Sequence, residues 1–189
     1  TDYYNVWIGM GPEGVIGISP EIGPGTAETD GIAIDYRVFT NNSCYSYSIY
    51  KLSRTAVHEI GHNFFPMIIN SDERQWSWMD EGLNTFVEYL TEEKWDNKFP
   101  SRRGPAFTIT DYMKLPKDQL EPIMTNSENI INFGPNAYSK PATGLNILRE
   151  TIMGRELFDY AFKEYANRWA FKHPMPADFF RTMEDASGV

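Results

Sequence analysis

Two histidines four residues apart, with a glutamate directly after the first, stand out in this chain as His58-Glu59-Ile60-Gly61-His62. On a helix, residues at i and i+4 lie on one face a turn apart, so both imidazoles can reach one ion. Glu59 sits beside them on the inner edge. Zinc suits such a set because it accepts imidazole nitrogen and carboxylate oxygen in a tetrahedral shell and leaves its fourth position to water. Glu81 follows His62 with 18 residues between, and two antiparallel helices joined by residues 66–77 would bring it back beside the histidines. The expected centre is one Zn2+ ion held by His58, His62 and Glu81, with Glu59 as general base toward a water molecule. The competing reading is a chance pattern whose histidines are surface or satisfied core residues. Against it, the motif uses two of only three histidines in the chain.

These residues need helices to hold them. Ser53 to Phe65 is predicted to form the first, capped by Ser53 and stopped by Pro66, which has no N–H and a ring that blocks continuation. The second is predicted from Met79 to Trp95, with Leu83, Phe86, Val87 and Leu90 at helical spacing and Gly82 as a local weakness. Upstream the pattern changes. Tyr4, Val6 and Ile8 alternate, Gly14 to Ile18 is a short apolar run, and Ile32, Ile34, Tyr36 and Val38 alternate again, with Gly and Pro clusters between them. Residues 96–137 are rich in Pro, Gly, Asn and Asp and are expected to fold beside the site with one or two short helices. Thr143 to Met153 and Arg155 to Phe171 read as helices separated by Gly154, and Pro176-Ala177-Asp178 opens a last one. The fold class expected is α+β: a small N-terminal β-sheet followed by a mainly helical subdomain. Residues 1–189 form one domain on this reading, with 1–40 β-rich and 51–189 mainly helical.

The 17 basic and 26 acidic residues give a net charge of −9. That argues against nucleic acid or an anionic membrane surface as partner, since both need clustered Lys and Arg. Cys44 is the only cysteine, so neither a disulfide framework nor a cysteine zinc cluster is available, and a metal must rest on histidine and carboxylate. No apolar run approaches the roughly 18 residues that span a bilayer, and the first residues lack the pattern of a signal peptide. The chain begins without Met and ends abruptly, as expected of a processed or excised piece of a longer protein with further domains. A bacterial envelope or secreted location is favoured over the cytoplasm.

Around the expected ligands the chain resembles the aminopeptidase N family of gluzincin zinc peptidases. That family's pattern is HExxH, then 18 residues, then Glu in a W-x-x-E-G context. The matching residues are Val57 to Asn63 and Trp78-Met79-Asp80-Glu81-Gly82-Leu83, with Asp80 where Asn is commoner. The resemblance implies a thermolysin-like subdomain, zinc ligation by His58, His62 and Glu81, and water activation by Glu59. Ala137-Tyr138-Ser139-Lys140-Pro141 is similar to the family's Y-x-K-G segment, which implies that Tyr138 hydrogen-bonds the oxyanion of the tetrahedral intermediate. Pro141 replaces Gly there. Glu88, two helical turns after Glu81, reads either as a carboxylate orienting a zinc histidine or as a solvent-facing residue. Trp76 and Trp78 read as packing residues under the ligand helix, and His173 as a solvated helix-end residue.

The resemblance covers roughly residues 30–189 and departs upstream. Family exopeptidases carry a G-x-M-E-N strand whose Glu grips the substrate's free α-amino group. The comparable segment here is Asp30-Gly31-Ile32-Ala33-Ile34-Asp35, with Ala33 near the Glu position and Asp35 two residues on. Losing such an anchor removes a charge-assisted hydrogen bond worth up to about 3 kcal/mol, roughly a hundredfold in selectivity for free N-termini. The expected activity is zinc-dependent hydrolysis of peptide bonds in a peptide or protein substrate, aminopeptidase-like with an atypical amine anchor. Its competitors are a non-catalytic zinc-containing peptide-binding module and a hydrolase of a non-peptide bond on the same site.

Overall fold

The computed structural model describes residues 26–29, 32–35, 54–99, 101 and 106–188. Contacts divide the chain between Ile60 and Gly61 into two units, Thr1–Ile60 and Gly61–Val189. In the first, β1 (Thr26–Thr29) and β2 (Ile32–Asp35) pair antiparallel, with Thr26 opposite Asp35 and Glu28 opposite Ala33. The first unit also holds most of α1, the helix over residues 54–61.

The α+β expectation with its small N-terminal β-sheet is corrected by this structure. Helices make up most of the described residues, and the described strands are two four-residue segments in one two-stranded ribbon. A ribbon of that size is too small to form a sheet layer of its own. The alternations at Tyr4 to Ile8, Gly14 to Ile18 and beyond Asp35 lie outside the described residues, as do Ser53 and Cys44. Where residues are described, the 3.6-residue spacing of long apolar side chains decides the architecture.

The first helix also ends earlier than Phe65. Regular helix stops at Gly61, and Asn63–Ile68 continues in wider i→i+5 turns broken at Phe65, whose φ of −124° and ψ of 108° are extended. Proline therefore acts upstream of its own position, because the residue before it is pushed out of the helical region.

In the second unit, a wide turn over Trp78–Gly82 leads into α2 (Leu83–Trp95). The long irregular segment contains a 3₁₀ turn over Ala106–Ile109, α3 (Thr110–Met113) and 3₁₀ turns over Lys117–Gln119 and Ser127–Asn129. A wide turn over Gly134–Ser139 then feeds α4 (Lys140–Ile147), which continues through Leu148–Ile152. Gly154, at φ 81°, breaks the chain before α5 (Arg155–Trp169). Pro176 opens α6 (Pro176–Ser187) at a position where its missing N–H is no loss.

The core lies where α2, α4, α5 and α6 meet. Leu83 and Phe86 of α2, Phe158 and Ala161 of α5, and Phe179 of α6 are buried in one cluster. Phe86 meets Phe158 edge-on at 5.5 Å between ring centres, and Tyr165 meets Phe179 at 4.9 Å. Each such ring stabilises the fold by about 1.5–3 kcal/mol through area removed from water. Trp78 is 3% exposed and packs against Phe179 and Phe180, so the turn that carries Glu81 rests directly on this core.

Residues 66–77, between the two halves of the metal motif, are tied down at both ends. Asp72 binds the side chain of Gln75, and its carbonyl accepts from Trp76 N–H. Ile69 pairs with Lys172, Asn70 N–H donates to the Lys172 carbonyl at 3.0 Å, and Phe171 N–H donates to the Ile68 carbonyl at 2.6 Å. The exposed His173 ring meets the Asn70 carbonyl at 3.1 Å.

Candidate metal centre

His58 lies on α1, His62 just past its end, and Glu81 in the turn before α2. One ligand atom from each lies within 4.8 Å of the other two, a spacing that suits a shared ion. His62 Nε2 stands 3.4 Å from Glu81 Oε2. Its other nitrogen, Nδ1, is 2.8 Å from the Phe65 carbonyl and 2.9 Å from Asp80 Oδ1. The outer nitrogen is thus held by the Phe65 carbonyl with the Asp80 carboxylate beside it, an arrangement that would leave Nε2 to a metal once its proton is displaced.

The electrostatics favour positive charge here. Burial works against an imidazolium at His62, yet the close carboxylates of Asp80 and Glu81 outweigh it and raise its pKa to about 11. Burial pushes the Asp80 carboxyl up, the neighbouring His62 ring pulls it down, Glu81 pushes it up again, and the result is about 6. A field that holds a proton so firmly also suits a divalent cation, and two imidazoles with one carboxylate are a donor set that zinc accepts.

Tyr138 comes to the same place from the turn before α4. Its hydroxyl donates to Glu81 Oε1 at 2.5 Å. Glu59, half-buried on α1, is next to His58 in the chain. The structure therefore brings His58, His62, Glu81 and Tyr138 together. Glu88 is 4% exposed on α2, which removes the solvent-facing reading.

Two glycines set the spacing. A Cβ on Gly82 would stand 2.5 Å from Cγ of Pro141 and 3.1 Å from the Ala137 carbonyl oxygen. The Glu81 turn and α4 can approach only because that atom is missing. A Cβ on Gly61 would stand 1.9 Å from Oδ1 of Asn84, so the end of α1 meets α2 in the same manner. Gly82, a weakness by helix propensity, is the residue that admits Pro141.

The irregular segment supports the turn from outside. Ser127 Oγ donates to the Glu73 carbonyl at 2.9 Å and accepts from Ser77 N–H at 3.0 Å, just before Trp78. The Glu121 carboxylate accepts from Ile131 N–H at 2.5 Å and Asn132 N–H at 2.9 Å. The Glu121 carbonyl accepts from Lys140, and from Asn136 Nδ2 at 3.0 Å. Sequence reasoning noted Asp80 only as an exchange for Asn, and it passed over Ser127, Glu121 and Asn84. For Asp80 the adjacency to Glu81 was the available signal.

Residues 26–189 match the Peptidase family M1 domain. The chain is similar to glutamyl aminopeptidase of Sus scrofa, 25% identical over 182 residues, covering 90% of this chain and 19% of that protein. It is 28% identical over 185 residues to glutamyl aminopeptidase of Bitis rhinoceros, covering 89% and 18%. It is 23% identical over 179 residues to aminopeptidase M1-D of Oryza sativa subsp. japonica, covering 89% and 20%. The chain thus spans about a fifth of the length of these curated relatives.

Proposed function

Because this chain belongs to peptidase family M1, we propose that it supplies the metal-binding and catalytic part of a zinc-dependent enzyme that hydrolyses peptide bonds. The observation that carries the reading is the convergence of His58, His62 and Glu81 with the Tyr138 hydroxyl on Glu81. His58 and His62 hold zinc through imidazole nitrogen and Glu81 through a carboxylate oxygen. When bound, zinc supplies a Lewis acid that acidifies water and polarises the scissile carbonyl. Glu59 takes the proton from the attacking water and passes it to the leaving amine. Tyr138 donates its hydroxyl hydrogen to the oxygen that becomes negative in the transition state.

The activity is aminopeptidase-like with an atypical anchor for the substrate's amine, since Ala33 occupies the place of the expected carboxylate. Asp35, two residues along β2, is the substitute we assign. The named relatives make a free N-terminal residue the first substrate to try.

Metal analysis combined with N-terminally blocked and unblocked peptides tests the reading. Stoichiometric zinc and cleavage of unblocked peptides support it, and cleavage of blocked peptides alone establishes an endopeptidase instead. Glu59→Gln should keep its zinc while turnover falls at least a thousandfold, within the ~10²–10⁴ range or beyond expected for a general base. Zinc binding without hydrolysis of any peptide by the wild-type protein would leave a peptide-binding module.

A further inference from the structure

The exchange at position 80 has a geometric consequence on His62. Asp80 and Glu81 are consecutive, yet they face opposite nitrogens of the same imidazole, Oδ1 of Asp80 at 2.9 Å from Nδ1 and Oε2 of Glu81 at 3.4 Å from Nε2. The wide turn over Trp78–Gly82 carries both, and turns of this class often occur at functional sites. Asp80 is 7% exposed, so its carboxylate acts in a medium where its charge is weakly screened. The hydrogen bond at Nδ1 runs to the Phe65 carbonyl at 2.8 Å, while the buried Oδ1 of Asp80 lies beside the same nitrogen without a hydrogen bond among the described residues, so the carboxylate acts on the ring through its charge. A negative charge beside the outer nitrogen of a ligand histidine makes the ring a better electron donor and favours the tautomer with its proton on that nitrogen.

We propose that Asp80 is a positioning residue for the metal, a buried carboxylate that fixes His62 with its proton on Nδ1 and directs Nε2 at the ion. The inference rests on the zinc reading above, and it adds a charged partner where an amide would supply only a neutral acceptor. Asp80 touches neither substrate nor metal in this role. It acts through His62, so its effect is read in metal retention rather than in turnover alone.

The test compares zinc affinity and zinc release to a chelator for the wild-type chain, Asp80→Asn and Asp80→Ala. Loss of the carboxylate should weaken zinc binding by about 10-fold for Asn, which keeps an oxygen acceptor, and by up to about 100-fold for Ala. Cobalt-substituted protein should show an altered visible spectrum in both variants, a signature that a purely structural role would not produce. Zinc affinity of folded Asp80→Asn within twofold of wild type would overturn the proposal. Nitrogen NMR of the zinc-loaded wild-type chain decides the matter without any variant. Ligation of His62 through Nε2, with a slowly exchanging Nδ1 proton, supports it, and ligation through Nδ1 overturns it. A wild-type chain that binds no zinc at all defeats the metal reading and this inference together, whereas tight wild-type binding indifferent to Asp80 defeats the inference alone.

Discussion

Both ring nitrogens of His62 face carboxylates, and on the zinc reading this would make metal binding a proton-coupled event. Burial opposes the charged ring, but Asp80 and Glu81 raise its pKa to about 11, which favours a ring with two protons at neutral pH before a metal binds. A metal ion must displace the one on Nε2, so affinity rises with pH below that pKa. Calorimetry in buffers of different ionisation enthalpy should report about one proton released per zinc, with affinity gaining about tenfold per pH unit between about 6.5 and 8. Uptake of zinc independent of pH in that window would show that the ring is neutral. Tyr138 makes a separate prediction. Replacing it with Phe removes the hydroxyl that Glu81 accepts from and should lower kcat by about 10²–10³-fold, the usual effect of one oxyanion donor, with a smaller change in KM and zinc content unchanged. At this scale the sequence was most legible, because ligand chemistry demands particular residue types at particular spacings. Asp80 was less so, since nothing in the type of residue 80 indicates which nitrogen it will meet.

Between elements, the close approach of the Glu81 turn to α4 depends on one missing methyl group. Gly82→Ala places a Cβ 2.5 Å from Pro141 Cγ and 2.8 Å from Pro141 Cβ. We expect it to destabilise the fold by about 1–3 kcal/mol, the range for forced overpacking, and to weaken zinc binding by displacing Glu81. Combining it with Pro141→Gly, which removes both clashing atoms, should recover part of the loss. A thermal melt of the two single variants and the double reads this as a coupling energy, and strict additivity would refute the contact. The helices over Met79 to Trp95 and from Pro176 were legible from spacing and from proline at the first turn. The end of the first helix was not, because Pro66 marks a stop at its own position, whereas regular helix ends at Gly61 and gives way to wide turns over Asn63–Ile68 with Phe65 extended. The β-sheet expectation failed for a related reason. Alternation over a few residues predicts an extended segment and says nothing of how many strands will pair.

In the molecule as a whole, the His62-to-Glu81 loop is fastened to the junction of α5 and α6 through Ile68, Ile69, Asn70 and residues 171–173. Phe171 at that junction has a φ of 60° and is 84% exposed. A left-handed conformation costs a non-glycine residue about 1–2 kcal/mol, and glycine returns part of this through its freer unfolded chain. Phe171→Gly should therefore stabilise the fold by about 0.5 kcal/mol, measured as a higher midpoint in urea. A lower midpoint would mean that the exposed ring contributes contacts of its own. The fastening has another implication. The three proposed ligands lie within 24 consecutive positions, and a short peptide copied from that stretch would hold every donor atom zinc needs. It would lack the backbone bridge to Lys172, far downstream, that holds the intervening loop in place. On the zinc reading proposed above, metal affinity would depend on this fastening as well as on the ligands, and loss of zinc would report damage at the junction of α5 and α6.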